Sequence, residues 1–223
     1  RLDSPEGESL RLFHRSPDQS GGYPGNLDVE ARYTVTNRGR LDLEFKARTD
    51  RPTPVSLTHH PYWSLSGEGT IHDHVLQVAA DQVTVTSTSL LPTGAFRSVH
   101  GSPLDLTSPT LLGPVIEATG GLDHNYVLRH ADGTLRFAAL LWHPGSGRRI
   151  RIYTTLPGLQ VYTGGKLDGA IGHGGRPHIP FSGVCLEPQL FPDAIHRPEF
   201  ASPILRPGES WSHAIRIEID TVS

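Results

Sequence analysis

Between residues 29 and 47 apolar and polar positions alternate twice. Val29, Ala31, Tyr33 and Val35 interleave with Glu30, Arg32, Thr34 and Thr36; beyond Asn37-Arg38-Gly39-Arg40, Leu41, Leu43, Phe45 and Ala47 interleave with Asp42, Glu44 and Lys46. A period of two puts one side-chain set on each face of a strand, so the two runs with their glycine turn predict an antiparallel hairpin. Ile215, Ile217 and Ile219 alternate with Arg216 and Glu218 in the same way. Shorter runs predict further strands at Leu10–Phe13, Pro54–Trp63, His72–Val78, Val83–Thr86, Tyr126–Leu128, Leu135–Trp142, Arg149–Thr155, Gln160–Tyr162 and Phe181–Leu186. Pro24-Gly25 suits a type II turn, and residues 87–121 are turn-rich, most clearly at Leu91-Pro92-Thr93-Gly94. No long stretch has helical periodicity. The expectation is an all-β protein, a large antiparallel β-sandwich or a barrel, with residues 1–223 forming a single domain without internal repeats.

Composition narrows the possible partners. A formal net charge of -3 excludes nucleic-acid or membrane-surface binding that rests on bulk charge. No apolar run approaches the ~20 residues of a membrane span, and no signal-peptide pattern opens the chain. Cys185 is the only cysteine, so an intrachain disulfide is impossible and a cytoplasmic protein is expected. The sequence has no methionine, so Arg1 need not be the natural start.

Candidate chemistry centres on Cys185-Leu186-Glu187-Pro188-Gln189-Leu190-Phe191-Pro192-Asp193. An apolar strand from Val184 to Leu186 runs into the Glu187 carboxylate, and Pro188 is expected to stop the strand because it has no N–H to donate. Such an arrangement aims an acid into a cleft; it equally describes a structural acid at a strand end. Cys185 reads as a small buried residue. The thirteen histidines raise the question of a metal. His72 and His74 share a strand face, but His59 and His60 face opposite ways, and neither a His-Glu-x-x-His helix nor a cysteine cluster is present, so no metal is expected. His14, His100, His130, His143, His173, His178, His196 and His213 read as surface or hydrogen-bonded core groups. His60 ends an apolar strand and precedes Pro61-Tyr62-Trp63, aromatic rings that either pack in the core or offer a platform to a sugar face. Asp123-His124-Asn125 reads as turn chemistry at a strand entrance. A Gly-x-Ser-x-Gly elbow and a Gly-x-Gly-x-x-Gly loop are both absent, which removes serine-hydrolase and dinucleotide chemistry.

Taken together the segments resemble the aldose 1-epimerase (galactose mutarotase) family. The resemblance is carried, in order, by Gly22-Tyr23-Pro24-Gly25-Asn26-Leu27, Leu57-Thr58-His59-His60-Pro61-Tyr62-Trp63-Ser64-Leu65, Leu91-Pro92-Thr93-Gly94, Asp123-His124-Asn125-Tyr126-Val127-Leu128, Tyr153 to Gly164, Cys185 to Asp193, and Leu205-Arg206-Pro207-Gly208-Glu209. It implies a mutarotase-like supersandwich and interconversion of the α and β anomers of a free hexose. By the same resemblance Glu187 matches the base that takes the C1 hydroxyl proton, and His60 the acid that protonates the ring oxygen. Asp123 and Gln160 match residues that bind sugar hydroxyls. No cofactor is implied, and the partner is a small-molecule aldose, with a monomer or homodimer expected.

Departures from the family pattern fall at His59, Gly165 and Pro188, where Asn, Asn and Thr are usual; they bear on sugar preference. Members also carry a further segment ahead of Ser16-Pro17, with an arginine and a histidine that line the sugar site, so the resemblance implies that this chain lacks the N-terminal part. Three alternatives are a hexose-6-phosphate 1-epimerase using Arg148, Arg149 and Arg151, a non-catalytic sugar-binding sandwich, and a metal-dependent β-sandwich hydrolase.

Overall fold

The computed structural model describes residues 7–172 and 175–222. The strands are β1 (Glu8–Ser16), β2 (Leu27–Thr36), β3 (Arg40–Thr49), β4 (Thr53–Pro54), β5 (Val75–Val78), β6 (Ala80–Thr86), β7 (Pro92–Ser98), β8 (Thr110–Leu111), β9 (Asp123–Leu128), β10 (Arg136–Trp142), β11 (Arg148–Thr154), β12 (Gly158–Tyr162), β13 (Cys185–Gln189), β14 (Ile204–Leu205) and β15 (Trp211–Thr221). An eight-stranded sheet runs β1-β2-β3-β15-β11-β10-β5-β8, a five-stranded sheet runs β13-β12-β9-β6-β7, and β14 pairs β4. Every described pair is antiparallel, as between strands joined by short turns. One apolar core holds both large sheets together, with Leu43, Phe45, Ile152 and Ile217 from the larger and Tyr126, Leu159 and Val161 from the smaller. This is the expected β-sandwich.

The hairpin of alternating residues is present. β2 pairs β3 from Leu27↔Thr49 to Thr36↔Arg40, and Leu43, Phe45 and Ala47 are buried while Glu44 and Lys46 between them are exposed. Gly39 closes its turn at φ 67, a conformation that disfavours any Cβ. β1 is the outer strand of this sheet, with Leu10, Leu12 and Phe13 all exposed.

Several expectations change. Pro188 does not end its strand: β13 continues to Gln189, with Pro188 opposite Leu159. β13 is an edge strand, the place where a missing N–H costs nothing in the ladder. Its strand also starts later than expected, at Cys185, with Val184 held in an isolated bridge to Trp63. Asp123, His124 and Asn125 belong to β9 rather than to a turn. Of the expected strand Pro54–Trp63 only Pro54 lies in a ladder, in the two-residue β4, and residues 72–74 are a turn ahead of β5. The turn-rich stretch holds β7 and a short helix, α1 (Leu112–Thr119), which has no side-chain N-cap and stops at Gly120 in a left-handed conformation. No helix among the described residues is long and apolar enough to cross a membrane. His173 lies outside the described residues.

Buried histidines pin the segment that leads away from His60. The Leu65 N–H donates to His74 Nε2 at 2.9 Å, so the fully buried His74 keeps its proton on Nδ1, 2.9 Å from Asp73 Oδ1. The other Asp73 oxygen lies 3.0 Å from His143 Nε2, whose Nδ1 accepts from the Ser146 N–H at 3.0 Å. The two imidazoles stack at 4.8 Å. Burial lowers the His74 pKa, Asp73 opposes that shift and His143 adds to it. The neutral ring is thus the native form, and stability that is complete above the unfolded value of about 6.5 is lost as pH falls below it. Melting temperature measured from neutral to mildly acidic pH is expected to fall, with a shallower slope in His74→Gln.

Candidate active site

Strand parity sorts the small sheet into a core face and a cleft face. On β12, Leu159 and Val161 are fully buried while Gln160 and Tyr162 are half-buried on the other side. Gln160 pairs with Glu187 on one flank and Asn125 on the other. Residues two apart share a face, so Cys185, Glu187 and Gln189 of β13 and Asp123 and Asn125 of β9 lie with Gln160. Around Gln160 the cleft side is therefore polar, while Tyr126, Leu159, Val161 and Leu186 face the core.

His60 comes from outside this sheet. The segment carrying it is fixed by the Thr58 hydroxyl donating to the Pro188 carbonyl at 2.6 Å, and by the Trp63–Val184 bridge. These attachments bring His60 Nε2 to 3.4 Å from Glu187 Oε1. The His60 side chain is 48% exposed and that of Glu187 9%. Burial raises the Glu187 pKa above the ordinary carboxylate value; His60 offsets part of the rise and Asp123 adds to it. A carboxylate with raised pKa in contact with an imidazole can take and deliver protons near neutral pH.

Asp123 and Gln160 also meet, Gln160 Nε2 donating to Asp123 Oδ1 at 2.7 Å. Behind them stands Gln189, which the sequence reading did not single out. Its Nε2 donates to both Asn125 Oδ1 and Gln160 Oε1 at 3.3 Å. That bond fixes the Gln160 amide with its NH2 toward Asp123. Gly158, opposite Gln189, leaves room for these side chains: a Cβ there would lie 2.6 Å from Asn125 Oδ1. The alternation Cys185-x-Glu187-x-Gln189 was the signal for Gln189, since strand parity puts all three on one face.

A cavity of about 420 Å³ is lined by Asp123 and Gln160 together with Thr86, His124, Tyr162 and Lys166. His60 and Glu187 are not among its walls; they adjoin it through the Gln160–Glu187 pair. Of the aromatic pair after His60, Tyr62 is the site residue, its ring 5.3 Å from His60, whereas Trp63 packs against the core. Cys185 is not simply a core residue: burial followed by the Glu187 charge pushes its thiol pKa up to about 12, with the Tyr62 hydroxyl opposing part of the rise. The arginines considered for a phosphate lie in the other sheet. Arg149 and Arg151 bind Asp220, and Arg148 donates to the Leu65 carbonyl.

The fold and the polar face together define a galactose mutarotase-like sandwich. A solved GalM/aldose epimerase homologue from C. elegans superposes with a TM-score of 0.90 at 29% identity, covering 97% of this chain and 66% of that one. A family model described as aldose 1-epimerase matches residues 3–218, and the chain belongs to that family. It is 40% identical over 209 residues to the galactose mutarotase of Mus musculus, covering 92% of this chain and 60% of that protein. It is 32% identical over 206 residues to the aldose 1-epimerase of Escherichia coli K12, covering 88% and 60%. The chain thus spans about three-fifths of the length of the curated relatives it matches.

Proposed function

We propose that the protein is an aldose 1-epimerase that interconverts the α and β anomers of a free hexose such as glucose or galactose. The observation that carries this reading is the 3.4 Å approach of His60 Nε2 to Glu187 Oε1. Both reacting oxygens of a cyclic aldose, the C1 hydroxyl and the ring oxygen, are bonded to C1, so base and acid have to be neighbours. Glu187 takes the hydroxyl proton while protonated His60 gives one to the ring oxygen. The C1–O5 bond breaks to the open aldehyde. Rotation about C1–C2 presents the other carbonyl face, and the two groups then run the transfers in reverse. Asp123 and Gln160 hold sugar hydroxyls through a carboxylate and an amide whose orientations are already set. No oxidant, reductant or other co-reactant enters this balance.

Polarimetry on freshly dissolved α-glucose or α-galactose with the full-length protein tests the reading. Catalysis above the buffer rate supports it; calorimetric sugar binding without catalysis would replace it by a sugar-binding sandwich. The 6-phosphate reading is disfavoured because its arginines are engaged elsewhere, and equal rates on glucose and its 6-phosphate would count against it further. A cytoplasmic location fits the single cysteine, which leaves no intrachain disulfide to form.

The Gln189 relay makes a further prediction. Gln189→Glu replaces the donor by an acceptor, which turns the Gln160 carbonyl toward Asp123. KM is expected to rise about tenfold with kcat less affected, and the loss should shrink as pH falls and the new carboxyl regains a proton. A pH-independent effect equal to that of Gln189→Leu would show that polarity is not what Gln189 supplies.

A further inference from the structure

Three groups of different chemistry meet at the acid–base pair. The imidazole of His60, the thiol of Cys185 and the carboxylate of Glu187 each offer one donor atom, and all three donors lie within 4.8 Å of one another. Cys185 and Glu187 are two apart on β13, so the strand aims both at the same side, and His60 closes the triangle from the opposing segment. His60 lies far from Cys185 and Glu187 in the sequence, and the three match neither a His-Glu-x-x-His helix nor a cysteine cluster, the motifs on which the expectation of no metal rests.

The geometry is near that of a zinc site. Zinc–nitrogen and zinc–oxygen bonds of about 2.1 Å at a tetrahedral angle place N and O about 3.4 Å apart. His60 Nε2 and Glu187 Oε1 are 3.4 Å apart, which is long for a hydrogen bond. A zinc–sulfur bond of about 2.3 Å would put sulfur about 3.6 Å from either partner, so the sulfur edges need to shorten by no more than about 1.2 Å. Three protein ligands leave the fourth tetrahedral position to water. Asp123, whose charge reaches both Glu187 and Cys185, adds negative potential. The mixed sulfur, nitrogen and oxygen set selects borderline and soft cations over magnesium or calcium.

We propose that His60, Cys185 and Glu187 form an inhibitory site for a thiophilic divalent cation, zinc foremost, which silences the protein by tying up its carboxylate–imidazole pair. Binding forms one bond each to sulfur, nitrogen and oxygen and releases the thiol proton to water, along with any proton on His60. Zinc affinity therefore rises with pH. The inhibitory consequence rests on the proposed epimerase activity; the site itself does not.

Cobalt(II), which takes zinc sites and reports thiolate ligation through an intense near-ultraviolet charge-transfer band, probes the site independently of catalysis. Titration of the full-length protein is expected to produce that band, zinc to abolish it, and Cys185→Ser and His60→Gln each to weaken binding by at least about tenfold. In polarimetry, micromolar zinc should inhibit, millimolar magnesium should not, and the zinc concentration that halves the rate of Cys185→Ser, measured against that variant's own zinc-free rate, should be at least about tenfold higher than for the wild type. If Cys185→Ser does not fold, Cys185→Ala serves the same arms. Absence of the band, or a band unchanged in the Cys185 and His60 variants, overturns the proposal. A protein that binds cobalt through Cys185 but shows no catalysis retains the site and loses the epimerase reading instead.

Discussion

Glu187→Gln is expected to lower the catalysed anomerisation rate by about 10²- to 10⁴-fold, the range that a single general acid–base group contributes. The amide keeps the shape of the side chain and can still contact His60, but it cannot accept a proton. The wild-type rate should rise with pH through the raised Glu187 pKa, and Glu187→Gln should lose that limb of the profile. Stability should move the other way. The folded state disfavours the ionised carboxylate because it is buried, so a neutral amide removes that cost and the melting temperature should hold or rise. A Glu187→Gln protein that folds normally and keeps its catalysed rate would show that the base lies elsewhere.

Leu159→Ala should give the opposite pattern. Leu159 is fully buried, one residue from Gln160 but on the other face of β12, between Tyr126 and Pro188 on the flanking strands. Deleting three buried carbons and leaving a cavity costs about 2–5 kcal/mol. In a chain of this size that lowers Tm by roughly 4–20 °C. Below the new transition kcat should stay within about threefold of wild type, because the cleft-side residues keep their strand positions. The two substitutions together separate what one strand does on each of its faces; differential scanning calorimetry and polarimetry on both variants check it.

Much of the fold was legible because period-two patterning depends only on which face is buried. β3, β11 and β15 each bury one side more than the other, and their strands, with the half-buried β2, were recovered within a few residues. The misses have one physical origin. Asp123-His124-Asn125 read as a turn because its polar residues resemble loop chemistry, whereas its polar face points into a cleft. Pro188 read as a strand stop because an edge position cannot be told from a central one without the pairing order. α1 was invisible because it is short, lacks a capping side chain and lies in a turn-rich run. For the site, residue chemistry alone made Glu187 only a candidate and left Asp123 a turn residue; the family resemblance supplied the roles. Gln189 and Cys185 were within reach of strand parity. The approach of His60 was not, because it depends on Thr58, Trp63 and Val184 meeting across a long stretch of sequence.

The proposed acid and base are mounted differently. Glu187 sits within a laddered strand, while His60 hangs on an irregular segment tied down at isolated points by Thr58, the Trp63–Val184 bridge and the His74–Leu65 bond. Segments held by few bonds open locally at lower free energy than the sheets behind them. Thermal inactivation should therefore precede loss of the sandwich and be reversible on cooling, with the amides of Trp63 and Leu65 exchanging with solvent sooner than those of Val161 and Leu186.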